Sequence, residues 1–367
     1  MALRSLLNPD RYTEISPRLA SGEPLLLVTI GSTRTSTVPG VSIAGATPEL
    51  TLATPCLDVE YLVTGKPVSM DILPVTPTGI PTPALVTRGV VEAASIPVVV
   101  ADAGSHLTPA IPHISMPGRT VGGRIDEEPA LPVDRARELY ESGYTLGKTI
   151  SGPGLTLVLA ESIPGGTTTA LGILVGLGYD AYGKVSSAGP ENPHDLKRSI
   201  VERAQERCRA KGLCGDPLGV AGEMGDPVHV TIAGIASGAL DRGGAVVLSG
   251  GTQMAAVLAL LERLRGVKTG DLLLMATTRW LVEDPSSDYK GLVEMISPDV
   301  PVVYYDYNFQ GAPYEGLKAY EKGFVKEGVG IGGSAYAATA IRGLTREAVH
   351  NAVYREYERV AGEAGVL

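Results

Sequence analysis

The run Leu155-Thr-Leu-Val-Leu-Ala-Glu-Ser-Ile-Pro-Gly-Gly-Thr-Thr-Thr-Ala170 reads as a strand, a tight turn and the start of a helix. Leu155–Ala160 is continuously apolar or β-branched, as expected of a strand covered on both faces. Pro164, Gly165 and Gly166 interrupt regular structure, and Ala170–Leu177 resumes as an apolar helical stretch. Five other runs have the same buried-strand character: Leu25–Ile30, Ile96–Ala101, Ala245–Leu248, Leu272–Ala276 and Val300–Tyr305. Helical periods lie between several of them. Leu196, Ile200, Ala204 and Cys208 recur every four residues and stop at Gly212; Met254–Leu264 opens just after Gly250 and Gly251. Val349, Val353, Tyr357 and Val360 mark a last helix, with Thr345 as its N-cap. Strands alternating with helices predict an α/β fold with a doubly wound, Rossmann-like parallel sheet. Ligands of such sheets gather beyond the carboxyl ends of the strands.

Composition narrows the function. The 367 residues carry 31 basic and 40 acidic side chains, a net charge of −9. That excludes a general nucleic-acid binder, which needs a basic face for phosphates, but not a small anion held by backbone amides. Three cysteines rule out a disulfide scaffold, and no His or Cys pair has metal-ligand spacing, so neither metal nor cofactor is expected. The first twenty residues, MALRSLLNPDRYTEISPRLA, place charges and prolines where a secretory leader needs an apolar core. No run reaches the roughly 18 apolar residues of a membrane span. The expectation is a soluble cytoplasmic protein. Only seven Asn and Gln residues occur, a depletion of thermolabile amides that fits a thermophile. Thr35–Pro83 is rich in Pro, Thr and Gly, with four prolines in Ile72–Pro83, and reads as an extended excursion: a lid or a passive surface loop.

Three glycine-rich junctions could carry chemistry. Glu161–Ala170 offers amides around Gly165 and Gly166, a helix N-terminus, and the hydroxyls of Thr167, Thr168 and Thr169. It suits an anion cradle or a capped turn. It is not a Walker A loop, because no Gly-Lys-Ser/Thr follows. Ser249, Gly250 and Gly251 form a second strand-to-helix junction. In the third, Lys326–Ser334, Gly328, Gly330 and Gly333 match G-x-G-x-x-G, but no buried strand precedes them, which argues against a dinucleotide site. Glu327 lies in this turn as a general base or as an acid favoured by the helix dipole. Asp102, Ser105 and His106 end a strand; Gly31–Ser36 brings hydroxyls and Arg34; Gly222–Asp226 with His229 reads as a helix cap. The aromatics Tyr304, Tyr305, Tyr307 and Phe309 suit either core or a stacking surface.

Taken in order, these loops resemble the nicotinate-nucleotide:dimethylbenzimidazole phosphoribosyltransferases, most of all their longer archaeal-type branch. ESIPGGTTTA is similar to the family's phosphate loop. AVVLSGGTQMAAVLAL, within His229–Leu260, is similar to its second loop-and-helix segment. KEGVGIGGSAYAA, within Tyr304–Ala337, resembles the segment with its catalytic glutamate. The match spans roughly Leu155–Gly343, and TVPGVSIAGATPELT near the start also resembles the archaeal-type members. Gly166, Ser249, Gly251 and Lys326 depart from the family's usual residues.

The resemblance implies transfer of 5-phosphoribosyl from nicotinate mononucleotide to a benzimidazole or purine base, with release of nicotinate. It implies Glu327 as the catalytic residue. Glu161, Gly165, Gly166, Thr167, Thr168, Thr169, Ser249, Gly250, Gly251, Gly328 and Gly330 would hold the nucleotide. Asp102, Ser105, His106 and Tyr305 would contact the acceptor base. It also implies a homodimer and a small domain built from residues 1–24 and 344–367, flanking a main domain of residues 25–343. The other function in view is a nucleotide- or nucleobase-binding protein of the same fold without transferase activity.

Overall fold

A computed structural model describes residues 2–76 and 78–365. Its strands are β1 (Leu3–Leu7), β2 (Glu23–Gly31), β3 (Val98–Gly104), β4 (Ile114–Ser115), β5 (Leu155–Ser162), β6 (Ala245–Ser249), β7 (Leu272–Thr278) and β8 (Val302–Tyr305). They form one sheet in the order β1-β8-β7-β6-β5-β2-β3-β4. Only β1 runs antiparallel to its neighbour. All six expected strands are present. The two that the sequence reading omits are the edge strands, where Leu3–Leu7 is half exposed and Ile114–Ser115 has only two residues.

The continuous apolar runs bury both faces. Leu27, Leu157, Leu159, Val246 and Leu248 enter one core. Their alternate neighbours Leu26, Val28, Val158, Ala160 and Val247 enter the other. Helices Gly166–Gly176, His194–Ala210, Pro227–Asp241 and Thr252–Leu264 cover the first face, and Pro83–Ala94, Ile331–Tyr336 and Arg346–Ala364 the second. The sheet is therefore doubly wound. The chain ends, expected as a small domain, pack on this sheet. β1 joins β8 at the edge, and Val349, Val353, Tyr357 and Val360 of the last helix enter the second core. Thr345 caps that helix, accepting the Ala348 N–H at 3.1 Å.

The reading of Thr35–Pro83 as extended needs correction. It contains a 17-residue helix, Pro48–Thr64, capped by Thr47, whose hydroxyl accepts the Leu50 N–H. Pro48 stands in the first turn, where its missing N–H costs nothing; Pro55 is accommodated in the helix interior, and the other prolines of the segment lie outside it. The helix buries Asp58, whose Oδ2 accepts the Ser162 hydroxyl at 2.8 Å just after Glu161. No helix among the described residues is long and apolar enough to cross a membrane.

Helices Val133–Ile150 and Pro227–Asp241 cross in backbone contact. A Cβ on Gly143 or Gly147 would stand 2.5 Å from the Thr231 carbonyl oxygen or 2.0 Å from that of Ile235. In return, a Cβ on Gly234 or Gly238 would stand 2.2 Å from the Tyr140 oxygen or 2.0 Å from that of Tyr144. Two Gly-xxx-Gly faces thus interlock and seat the helix that carries His229. Alanine at Gly147 would gain about 1 kcal/mol in helix propensity, while overpacking costs about 1–3 kcal/mol. Gly147→Ala is expected to lower the denaturation midpoint in urea; a raised midpoint would show that the helices are not in such close contact.

Candidate functional site

Each glycine junction lies at the carboxyl end of a strand or over it. After β5, Gly165 adopts φ 75° and starts helix Gly166–Gly176 without a side-chain cap. After β6, Gly251 starts helix Thr252–Leu264, again without one. Two helix N-termini with uncapped amides therefore face the same region, the arrangement that favours an anion.

The Glu327 turn is folded over these ends. The Val329 N–H donates to the Glu161 carbonyl at 2.9 Å. The Gly333 N–H donates to Ser249 Oγ at 2.8 Å, and Thr278 Oγ1 donates to the Lys326 carbonyl at 2.6 Å. The turn is thereby tied to β5, β6 and β7. Its backbone is unusual: Val325, Lys326 and Val329 have φ of 66°, 63° and 50°. Gly330, at φ 79°, is pressed on the sheet; a Cβ there would lie 2.8 Å from that of Ala160.

Glu161, Thr167, Gly251, Gln253, Lys326 and Glu327 line a common cleft, closed on one side by Ser186–Ala188. The turns at Gly165 and Gly328 meet here, since Thr167 and Glu327 beside them line the same cleft. Glu327 Oε1 and Oε2 accept the N–H groups of Gly332 and Gly328, both at 2.8 Å. Burial nevertheless pushes its carboxyl up to about 8, against these backbone donors. Glu161 is pushed well above the usual carboxylate range, by burial first and by the Glu327 charge second. Two acids thus share one poorly solvated space, a pattern frequent at functional sites.

The three threonines divide. Thr167 lines the cleft. Thr169 Oγ1 instead donates to Asp226 Oδ2 at 2.5 Å, and Thr168 is fully buried. Ser249 acts on the turn through Gly333 rather than facing the cleft. The expected acceptor contacts lie elsewhere. Asp102 is buried at the end of β3, accepting from Gly104 and Ser105 and paired with Arg119 at 2.6 Å. His106 is exposed. Tyr305 is fully buried among Tyr307 and His350. Trp280, Tyr307, Phe309 and Tyr320 pack as core as well, with Trp280 stacked on Tyr307 at 5.1 Å. Arg34 points to Glu128 at the surface. Asp226 is a cap, as read from the sequence, accepting from Val228 and His229.

Several functional residues escape sequence reasoning. Lys326 Nζ is buried, donates to the Ser187 and Gly189 carbonyls at 2.8 and 2.9 Å, and pairs with Asp284 at 3.2 Å. Lys197, also buried, donates to the Ser186 carbonyl and to Asn192. Burial, followed by repulsion from Lys326, lowers Lys197 to about 7. Two buried lysine side chains therefore stand behind the cleft wall. Lys197 stands three and four residues before Ile200 and Val201, on the apolar face of its helix, and is buried with them. A shallower groove, lined by Tyr140, Tyr144, Asp241, Arg265 and Lys268, lies at the amino ends of the strands, away from every glycine junction.

A doubly wound sheet with an anion cradle and paired acids at its carboxyl edge suits a nucleotide-processing transferase. A family model described as phosphoribosyltransferase matches residues 89–269. The fold is shared with the nicotinate-nucleotide-dimethylbenzimidazole phosphoribosyltransferase of Thermus thermophilus: TM-score 0.61, 20% identity, 99% of this chain and 95% of that one. CobT from the same organism aligns with TM-score 0.59 and 18% identity, over 96% and 92%. In sequence, the UPF0284 protein of Aeropyrum pernix is 46% identical, over 93% of this chain and 94% of its own length. That of Pyrobaculum calidifontis is 48% identical, over 92% and 96%. The chain belongs to the UPF0284 family; the phosphoribosyltransferase resemblance read from its loops holds for the fold and, in sequence, for residues 89–269.

Because the folded chain binds the Glu327 proton more tightly than the unfolded one, ionising Glu327 costs stability as pH rises from about 4.5 to about 8. Glu327→Gln removes that cost. The variant is expected to gain melting temperature relative to the parent as pH climbs through this window. Parallel melting curves against pH would contradict the buried-acid reading.

Proposed function

We propose that this chain moves a 5-phosphoribosyl group from nicotinate mononucleotide to a ring nitrogen of a benzimidazole or purine base, releasing nicotinate. The observation that carries this reading is the meeting of the Glu161, Gly251 and Glu327 turns in one cleft.

The donor presents a dianionic phosphate and a glycosidic nitrogen that is already cationic. The uncapped helix N-termini at Gly165 and Gly251 and the Thr167 hydroxyl suit the phosphate. Glycines 165, 166, 250, 251, 328 and 330 keep the backbone close to the ligand or let the turns bend. A cationic leaving group departs without an acid. The acceptor N–H needs a base, and Glu327, ionised, takes that proton as the ring nitrogen bonds to the anomeric carbon and the bond to nicotinate breaks. Anchoring the donor by its phosphate removes much of the entropic barrier. The raised proton affinity of Glu327 makes it a stronger base than an exposed carboxylate. By family likeness the working form is a homodimer.

Glu327→Gln is expected to lower kcat about 10²–10⁴-fold and to leave nicotinate mononucleotide affinity by calorimetry within a few-fold. For the parent, kcat/KM should rise with pH and level off above about 8, since the base acts only when deprotonated. Nucleotide binding without nicotinate release, tested with several benzimidazoles and adenine, would overturn the transferase reading. Thr167→Ala should weaken nucleotide binding more than it lowers kcat.

A further inference from the structure

The mechanism above uses neither Asp226 nor His229, although both are wholly buried. Asp226 Oδ1 accepts the Val228 and His229 N–H groups at 2.9 Å each, capping helix Pro227–Asp241. Its Oδ2 receives the Thr169 hydroxyl at 2.5 Å and stands 2.6 Å from His229 Nδ1, off the ring N–H direction. The other ring nitrogen, Nε2, lies 3.1 Å from Gln253 Oε1, and Gln253 Nε2 lies 3.0 Å from Glu161 Oε1. A polar line thus runs from a helix cap, past a histidine in close contact with it, and through an amide to one of the two cleft acids. Buried polar groups cost stability unless each is paired.

A primary amide can present either end to a neighbour. Here the carbonyl end faces His229 Nε2, which requires the tautomer with a proton on Nε2, and the NH₂ end is what Glu161 meets. Glu161 needs it. Glu327, Asp226 and Asp58 all oppose its ionisation. The donors that favour the ionised form are the Ile163 N–H at 3.2 Å and Gln253. The amide also fills a defined space. A Cβ on Gly166 would lie 1.8 Å from Gln253 Oε1. Gly166 is not in the left-handed region, so its lack of a side chain answers to the amide and not to backbone conformation.

We propose that Gln253, oriented by His229 and Asp226, is a positioning residue that gives the Glu161 carboxylate its hydrogen-bond donor, and that position 166 is glycine so as to admit this amide. The proposal deepens the transferase reading and rests on it for the purpose of Glu161, but the arrangement can be tested without turnover. In protein labelled with ¹³C at glutamate carboxyls, Glu161→Gln identifies the Glu161 resonance, and its titration midpoint is followed by NMR. Gln253→Met and Gly166→Ala are each expected to raise that midpoint by about one pH unit or more. Gly166→Ala keeps every polar group and adds one methyl, so it serves where Gln253→Met fails to fold. Midpoints unchanged from the parent would overturn the proposal, even with full transferase turnover. Raised midpoints in a protein that never releases nicotinate would support the positioning role and overturn the transferase reading instead.

Discussion

One hydrogen bond, from the Val329 N–H to the Glu161 carbonyl, joins two parts of the chain that are far apart in sequence and makes them one site. β5 lies in the middle of the sheet and delivers Glu161 at a fixed height. The Glu327 turn has no strand of its own. It gains position by bonding to the ends of β5, β6 and β7 in succession. Two acids, two helix N-termini and a wall backed by lysines are brought together in consequence. Were the turn to lift from β5, Glu327 would become a solvated carboxylate of ordinary basicity.

The electrostatics follow from the same closure. A chain of net charge −9 gathers Glu327, Asp226 and Asp58 within interaction range of Glu161, which raises the cost of charging Glu161. Burial lifts Asp58 to about 7. Lys197 and Lys326 in the cleft wall bind carbonyls of residues 186–189, and Lys326 also pairs with Asp284, so neither bonds to Glu161 or Glu327. The two cleft acids are left strongly basic.

Much of this was legible in the sequence because its elements are local. Buried parallel strands announce themselves as apolar runs, and Gly165, Gly251 and Glu327 stand out as breaks after them. Edge strand β1 is short and half wet, so it has no such signature. The helix Pro48–Thr64 was obscured by prolines in its first turn, in its interior at Pro55, and in the segment that follows. Asp102, His106 and Tyr305 looked suitable by position at strand ends, but direction decides: Asp102 turns to Arg119, and Tyr305 turns into the aromatic core. Gln253 could not have been found from its neighbours in sequence, since its partners Glu161 and His229 belong to other elements; the partners of Lys197, Ser186 and Asn192, are near in sequence, but only the fold shows that they accept from it. The Asp226 cap was readable; its extension through His229 to Glu161 was not, because it depends on how two helices are packed.

The left-handed backbone at Val325, Lys326 and Val329 has a practical corollary. Each such non-glycine residue typically costs about 1–3 kcal/mol, so the turn is a loaded spring held down by the sheet beneath it. Glycine at these positions would relax the chain and harden it against heat. Selection for thermal survival alone would therefore drift toward slack variants in which the acid no longer points where the chemistry needs it.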